Sequence, residues 1–465
     1  MNGVNDLTKG NVSKLLLAFF FPMLITNMLQ QVYTFADTAI VGLGLGNNSL
    51  AAVGNMGSLF FLIVGFSMGL ANGFSVLIAR DYGAGDYKKL RHTFAASITI
   101  AGIICFILTI LSLVFLPDML RLLHTNATIM NECLIYGYIV FGGLLSSVCY
   151  NMSAFTLRAL GDSKTPLKAI IISSILNLGL DALFIFVFKT GVEGAAIATV
   201  IAQFGSSFIC IRKIRTIEFL HLTKEDFKND FALYYELIKN GIPMAFMNSI
   251  TAIGCMVIQY FVNDFSVDHT AAFSVCTKYT NLFMMPACTA GQAMTAFTGQ
   301  NCGAGKYDRV KKGLITCLGI SLVSYLILGL SMGFGSRFMA DLLLDGEKAI
   351  NPASEYIRNC GFMLFTVNCL FVVRSGVQGM GKPFIPMCSG ITEMIMRVGV
   401  IFLLSPRLGF TATSMAEIAA WVGALTLNVI AFAIIYHKKA NESLLKMERN
   451  VIEIPQIRRK IRKHA

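Results

Sequence analysis

The chain has 465 residues, 55% of them hydrophobic and 14% charged, with a mean hydropathy of +0.66 and a formal net charge of +12. Most of that charge lies in short stretches between long apolar runs, which excludes an ordinary soluble domain and puts the chain in lipid. No folded nucleic-acid reader accompanies the positive excess, so it is a bias of loops and termini and no nucleic-acid partner is expected.

Runs long enough to cross a bilayer, about 20 residues each at the rise of an α-helix, fall near 15–42, 50–78, 92–116, 133–157, 166–188 and 193–211. The first has Lys9 and Lys14 ahead of it but continues too far, with no small-residue cleavage pattern, to be a removable leader. A charged stretch follows at 212–235. Six more runs lie near 237–263, 270–298, 312–335, 355–377, 384–405 and 411–436. The expected fold is an all-α integral membrane protein of twelve transmembrane helices. Its lobes are 1–211 and 236–437, its linker 212–235 and its basic tail 438–465.

The two sets repeat each other. Ala51-Ala52 and Gly83-Ala84-Gly85-x-Tyr87 recur as Ala271-Ala272 and Gly303-Ala304-Gly305-x-Tyr307, displaced by 220 (271 − 51, 303 − 83). Pro22 answers to Pro243, and Gly161 before Pro166 to Gly381 before Pro383. Two like bundles around a central space is the geometry of an alternating-access transporter. The glycine motifs lack the lysine and strand context of a phosphate loop and read as tight turns feeding amphipathic stubs.

Orientation follows from Lys and Arg, which are retained on the cytoplasmic side. With both termini inside, about 30 of the 38 Lys and Arg fall in cytoplasmic segments against about 6 outside. They include Lys88-Lys89, Arg212-Lys213, Lys311-Lys312 and Arg458-Arg459-Lys460, and the tail is suited to anionic lipid. The expected location is a membrane crossed many times, with both termini on the cytoplasmic side. The 12 cysteines are scattered, without a Cys-x-x-Cys pair or a Cys/His cluster, so no metal centre or organic cofactor is expected. The six histidines lie near span ends, in loops or in the tail.

Ionisable chemistry inside the spans therefore rests on carboxylates. Asp37 stands in the first run and Asp181 in the fifth, where an ionised group costs a few kcal/mol. Asn177 lies four residues before Asp181, so amide and carboxylate share one helix face. Burial favours the uncharged acid, which suits a reversible proton carrier. Converging oxygens equally suit sodium, and interhelical hydrogen bonding for packing alone is the third reading.

The motifs Gln30-x-x-Tyr33-x-x-x-Asp37-x-x-x-Val41-Gly42, Ala51-Ala52-x-Gly54, Gly83-Ala84-Gly85, Gly161-Asp162-x-x-x-Pro166 and Gln300-Asn301-x-Gly303-Ala304-Gly305, in this order and duplicated, resemble the multidrug and toxic compound extrusion family. Asp37 with Asn177 and Asp181 resembles its prokaryotic branch of DNA-damage-inducible transporters. The resemblance runs from about Leu7 to about Tyr436. It implies two six-helix lobes related by pseudo-twofold symmetry, and export of small organic cations in exchange for protons or sodium, in the cytoplasmic membrane of a prokaryote; a monomer without enzymatic activity is expected. Carried over, the family's cation site falls on Asp37, Asn177, Asp181 and Thr199, with Tyr33 one turn before Asp37. Pro22 matches a proline at which the first helix is thought to bend; a fixed packing kink is the other reading.

The second lobe departs from this pattern. Glu393 and Arg397, again i, i+4, read as a self-neutralising ion pair, with a second coupling site as the alternative. The seventh and tenth runs offer Gln259 and Asn368 but no central carboxylate. Lys278 is open between snorkelling and meeting Glu393, and Glu417 is equally open. For substrate, flexible thioethers and aromatic faces suit a promiscuous cavity, and Met152, Phe155, Met284 and Met285 are the candidates for its lining. No ATP-binding motif is present, so the driving force is an ion gradient. A lipid-linked precursor flippase of the same wider superfamily is the alternative function, and it would want a strongly cationic cavity. A membrane-embedded enzyme would want a clustered nucleophile, metal site or histidine constellation.

Overall fold

The computed structural model describes residues 5–123, 125–263 and 265–463. Six helices form the first half: α1 Val12–Leu45, α2 Asn47–Gly83, α3 Tyr87–Leu122, α4 as the pair Ala127–Gly142 and Leu144–Ala159, α5 Lys164–Ala182, and α6 Val192–Arg215. The second half holds α7 Phe231–Asn263, α8 Val267–Gly303, α9 Tyr307–Ser324, α10 Glu347–Gly379, α11 Phe384–Leu408 and α12 Thr411–Lys463. No strand occurs among the described residues. Residues 464–465 of the expected tail lie outside them.

Among the described residues, ten helices are long and apolar enough to cross a membrane, and α4 makes eleven if its halves, bent by 47°, count as one span. That bend falls at Gly142-Gly143, where neighbouring glycines weaken a helix. The twelfth, α8, is long enough at 37 residues but more polar than its neighbours. Its Thr280, Thr289, Thr295, Thr298, Gln300 and Asn301 are buried in protein, out of contact with lipid. Hydropathy periodicity did not reveal the π turns. One closes α5 at Leu183–Val187 and another interrupts the ninth run at Tyr325–Gly329, before a last helical turn at Leu330–Phe334.

Each half has its own apolar core. Met56, Phe74, Leu116 and Phe141 anchor the first, and Tyr356, Leu364 and Trp421 the second. A third core crosses between them: Leu16, Phe19 and Met23 of α1 pack with Met294 and Phe297 of α8 and Val377 of α10. The first half of α1 thus belongs to a cluster of the second set, whereas the helix as a whole packs most heavily along α5. Pro22 lies within the part of α1 that belongs to this third core, which continues through Met23 and Leu24.

The halves meet along α2, α7 and α8. A Cβ at Gly83 would lie 1.9 Å from the Gln300 carbonyl oxygen, and one at Gly303 would lie 1.9 Å from that of Arg80. These two contacts are the repeat seen from either side (300 − 80 and 303 − 83 are both 220), and only glycine permits them. Gln300 then bolts the seam: its Oε1 accepts from the Leu7 amide at 2.9 Å and its Nε2 donates to the Ala159 carbonyl at 2.7 Å. Arg309 donates to Asn301 Oδ1 at 3.0 Å and to the Leu7 carbonyl at 3.0 Å. The expected glycine turns are present, with Gly85 at φ 73° and Gly305 at φ 70°. They lead straight into α3 and α9 without separate stubs.

The linker is short and fastened. Two single turns, Glu218–Leu220 and Lys224–Phe227, bridge α6 and α7. The Phe219 ring stacks on Tyr82 at 5.6 Å and lies 5.0 Å from Tyr87. Asp226 accepts from the Thr223 amide and hydroxyl at 2.8 Å each, and the Arg91 Nε stands 3.5 Å away as an ion pair.

Candidate cation site and charge network

Asp37 and Asp181 come together although 144 residues separate them (181 − 37). α1 runs along α5 over much of its length, and the two carboxyls lie within hydrogen-bonding reach of each other. Asp181 and Asn177 are fully buried, and Asp37 is half-buried with its Oδ1 enclosed. Neither oxygen of Asp181, nor Oδ1 of Asp37, nor either polar atom of the Asn177 amide has a hydrogen-bond partner. Ionised carboxylates only accept, so two of them facing each other lack a donor. One proton shared between them supplies that hydrogen bond, and a small cation held by the same oxygens would satisfy the same need.

Thr199 of α6 and Tyr33 of α1 belong to the same cluster. The Tyr33 hydroxyl approaches the Thr199 side chain, and so does that of Tyr136, a buried residue of α4 that sequence reasoning missed. Nothing in the apolar run around Tyr136 sets it apart from Tyr138, because only the third dimension turns one toward α6. Four helices, α1, α4, α5 and α6, therefore contribute to one polar spot inside the first half.

Pro22 lies fifteen residues before Asp37 (37 − 22) within a helix that continues through it. Its carbonyl accepts from the Thr26 hydroxyl at 2.7 Å, and Asn27 Nδ2 donates to Thr289 Oγ1 of α8 at 2.8 Å. The turn after the proline is thereby tied across the seam.

In the second half the expected Glu393 and Arg397 pair is part of something larger. Arg374 of α10 donates to Glu393 Oε1 at 2.7 Å, Arg397 donates from Nε and Nη2 to Glu417 Oε2 at 3.1 and 2.9 Å, and the i, i+4 contact itself is a looser 3.6 Å. All four side chains are nearly buried, and two arginines balance two glutamates. Glu417 thus has its partner. Lys278 is exposed, and the cations facing Glu393 are Arg374 and Arg397. Arg374 was readable in advance as a charged residue inside the tenth run. Asn368 is buried and donates to the Ser321 carbonyl at 3.4 Å, while Gln259 is engaged with Asn263 at 2.8 Å.

The four candidate substrate contacts are divided between the halves. Met152 and Phe155 lie in the first apolar core, and Met284 packs against the second. Met285 is half-buried, its carbonyl accepting from the Thr289 hydroxyl at 2.8 Å. Met152 also lines a 660 Å³ cavity between α3, α4 and α6.

Comparison with known proteins agrees with this architecture. The MatE family profile matches residues 22–183 and again 243–403, so it finds the same duplication. The chain is 25% identical over 438 residues to the probable multidrug resistance protein YoeA of Bacillus subtilis (strain 168), covering 92% of this chain and 94% of that protein. It is 27% identical over 430 residues to the probable multidrug resistance protein YpnP of the same organism, covering 90% and 91%. A crystal structure of MATE in the bent conformation superposes with a TM-score of 0.89 at 22% identity, covering 96% of this chain and 99% of that one. A duplicated twelve-helix membrane fold, matched by the profile in both halves, makes this chain a member of the MatE family of transporters, which are not enzymes.

Proposed function

We propose that the chain is a secondary active multidrug exporter of small organic cations, driven by antiport with protons or sodium and coupled through Asp37 and Asp181, with Asn177, Thr199 and Tyr33 completing the cation site. The observation that supports this reading is a pair of facing carboxyls, enclosed among four helices, without a donor. With one proton between them the pair is a hydrogen bond; without it, two negative charges oppose each other at close range, and α1 and α5 pack differently. Sodium would act at the same point through the oxygens of Asp37, Asn177 and Asp181. A cationic substrate is favoured when the site is empty and released when proton or sodium returns, either by direct competition or through movement of α1 about Pro22. The names of the relatives, probable multidrug resistance proteins, support the multidrug part of this reading.

In this reading residues 1–211 and 236–437 are the two moving lobes and 212–235 their linker. The monomer sits in a prokaryotic cytoplasmic membrane with both termini, including the basic tail at 438–465, on the cytoplasmic side. The test is efflux of a fluorescent organic cation from proteoliposomes under separately imposed proton and sodium gradients. Asp37→Asn and Asp181→Asn are each expected to lower gradient-driven efflux by about tenfold or more, and the gradient that drives the wild type identifies the ion. Transport that ignores both gradients and both substitutions would refute the proposal and bring the flippase reading forward.

A further inference from the structure

The 660 Å³ cavity lined by Met152 has no part in the coupling chemistry, and its walls describe a ligand. It is within the size range of small-molecule sites. α3 and α6 have no substantial contact with each other, and the second half of α4 lies behind both, so the cavity is a cleft in the flank of the bundle. Its walls are apolar side chains, including Phe94, Val148 and Ile214, and its rim residues Ile98 and Leu145 are 40% and 51% exposed on the outward side of the bundle. The Ser153 hydroxyl in the wall is spent on the Cys149 carbonyl at 2.7 Å, and charge enters at one end. There the linker residues Leu220, His221 and Leu222 roof the cleft, and the exposed Arg215 stands beside them. The His221 Nε2 lies 2.9 Å from the Arg215 carbonyl, which fixes these two residues as a unit, and among the described residues no carboxylate pairs with the Arg215 guanidinium.

An apolar cleft reached from the side, ending in an unneutralised cation at the helix terminus, is shaped for an amphiphile with an anionic head. We propose that this cleft binds one acyl chain of an anionic phospholipid from the leaflet on the linker side, with the lipid phosphate at Arg215 and His221. Charge complementarity selects the head, and the apolar wall accepts the tail. The site lies under the segment that joins the two halves, so an occupied cleft braces the linker from below.

Gly102 supplies the test, because it lines the cleft and a Cβ built there meets nothing within 4 Å. Gly102→Phe puts a ring into the cleft from a position where the Cβ itself meets no neighbour. The first measurement is native mass spectrometry of the full chain with phosphatidylglycerol or phosphatidylcholine added after delipidation. The wild type is expected to retain one more phosphatidylglycerol than Gly102→Phe does, and to prefer phosphatidylglycerol by about fivefold, a preference that Arg215→Gln abolishes. The second measurement needs no variant: phosphatidylglycerol carrying a diazirine in its acyl chain is photolysed with the wild type and the adducts are mapped. Adducts concentrated on residues 94–102, 145–153 and 211–222 support the site. Equal retention of the two lipids, unchanged retention in Gly102→Phe, or adducts confined to other segments would each overturn it.

Discussion

Charges inside this molecule are used in two ways. Asp37 and Asp181 leave a hydrogen bond unmade, whereas Arg374, Glu393, Arg397 and Glu417 are joined by three, although Arg397 Nη1 stands 3.6 Å from Glu393 without one. In the proposed cycle the first arrangement changes with the bound cation, and the second is a charge-balanced set. Removing a single member of a buried, balanced set exposes its partner to the full desolvation penalty, so Arg397→Met is expected to destabilise the protein by about 3–5 kcal/mol, read as a loss of thermal stability in detergent. Removing both ends together, Arg397→Met with Glu417→Leu, leaves the Arg374 and Glu393 pair in place and should recover most of that loss. A double variant no more stable than the single one would show that the charges are not the reason. At this scale the sequence was a fair guide to which residues matter and a poor one to whom they meet. The positions of Asp37, Asp181, Glu393 and Arg397 in apolar runs announced them, but the meeting of Glu417 with Arg397 and the approach of Tyr136 to Thr199 depend on helices that are neighbours only after folding.

Among the elements, the linker is one part whose docking pH alone can weaken. Burial on its own would push the Asp226 carboxyl up, but the Thr223 amide and hydroxyl, with Arg91 and His92 nearby, outweigh it and hold the group below its ordinary value of 3.8. A group held down in the folded state stabilises it while ionised, so this contribution is complete above about pH 4 and disappears as pH falls through the lowered value. Hydrogen exchange at residues 218–228 is expected to accelerate selectively on acidification below pH 4, and Asp226→Asn should show the faster exchange already at neutral pH. Equal exchange in the variant and the wild type at neutral pH would mean that the aromatic stack around Phe219 alone fastens the segment. Apolar length showed where helices lie but not how they are interrupted: the π turns at Leu183–Val187 and Tyr325–Gly329 shift hydrogen bonds by one residue without altering composition. The bend within α4 had a visible cause in its paired glycines. Of the 212–235 segment, 212–215 continue α6 and 231–235 open α7, so that 216–230 lie between the helices, and the turn at Lys224–Phe227 depends on the local pairing of Thr223 with Asp226.

For the molecule as a whole, the repeat recurs at the seam between its two halves. Gly83 and Gly303 allow α2 and α8 to touch backbone to backbone, and Gln300 adds the segment around Leu7 to that contact. In the proposed antiport cycle this seam parts. Gly83→Val forces the backbones apart, so labelling of the half-buried Cys302 by a thiol reagent should rise several-fold, and gradient-driven transport should fall because the closed arrangement is disfavoured. Unchanged labelling in a folded variant would argue that the seam closes elsewhere. The helix at the centre of that seam has a further cost. With its threonines, two glutamines and two asparagines, α8 is expected to enter lipid poorly by itself and to rely on α2 and α10, its neighbours in the fold, to shield those groups. The expected consequence is a delayed, collective insertion of this part of the chain during synthesis.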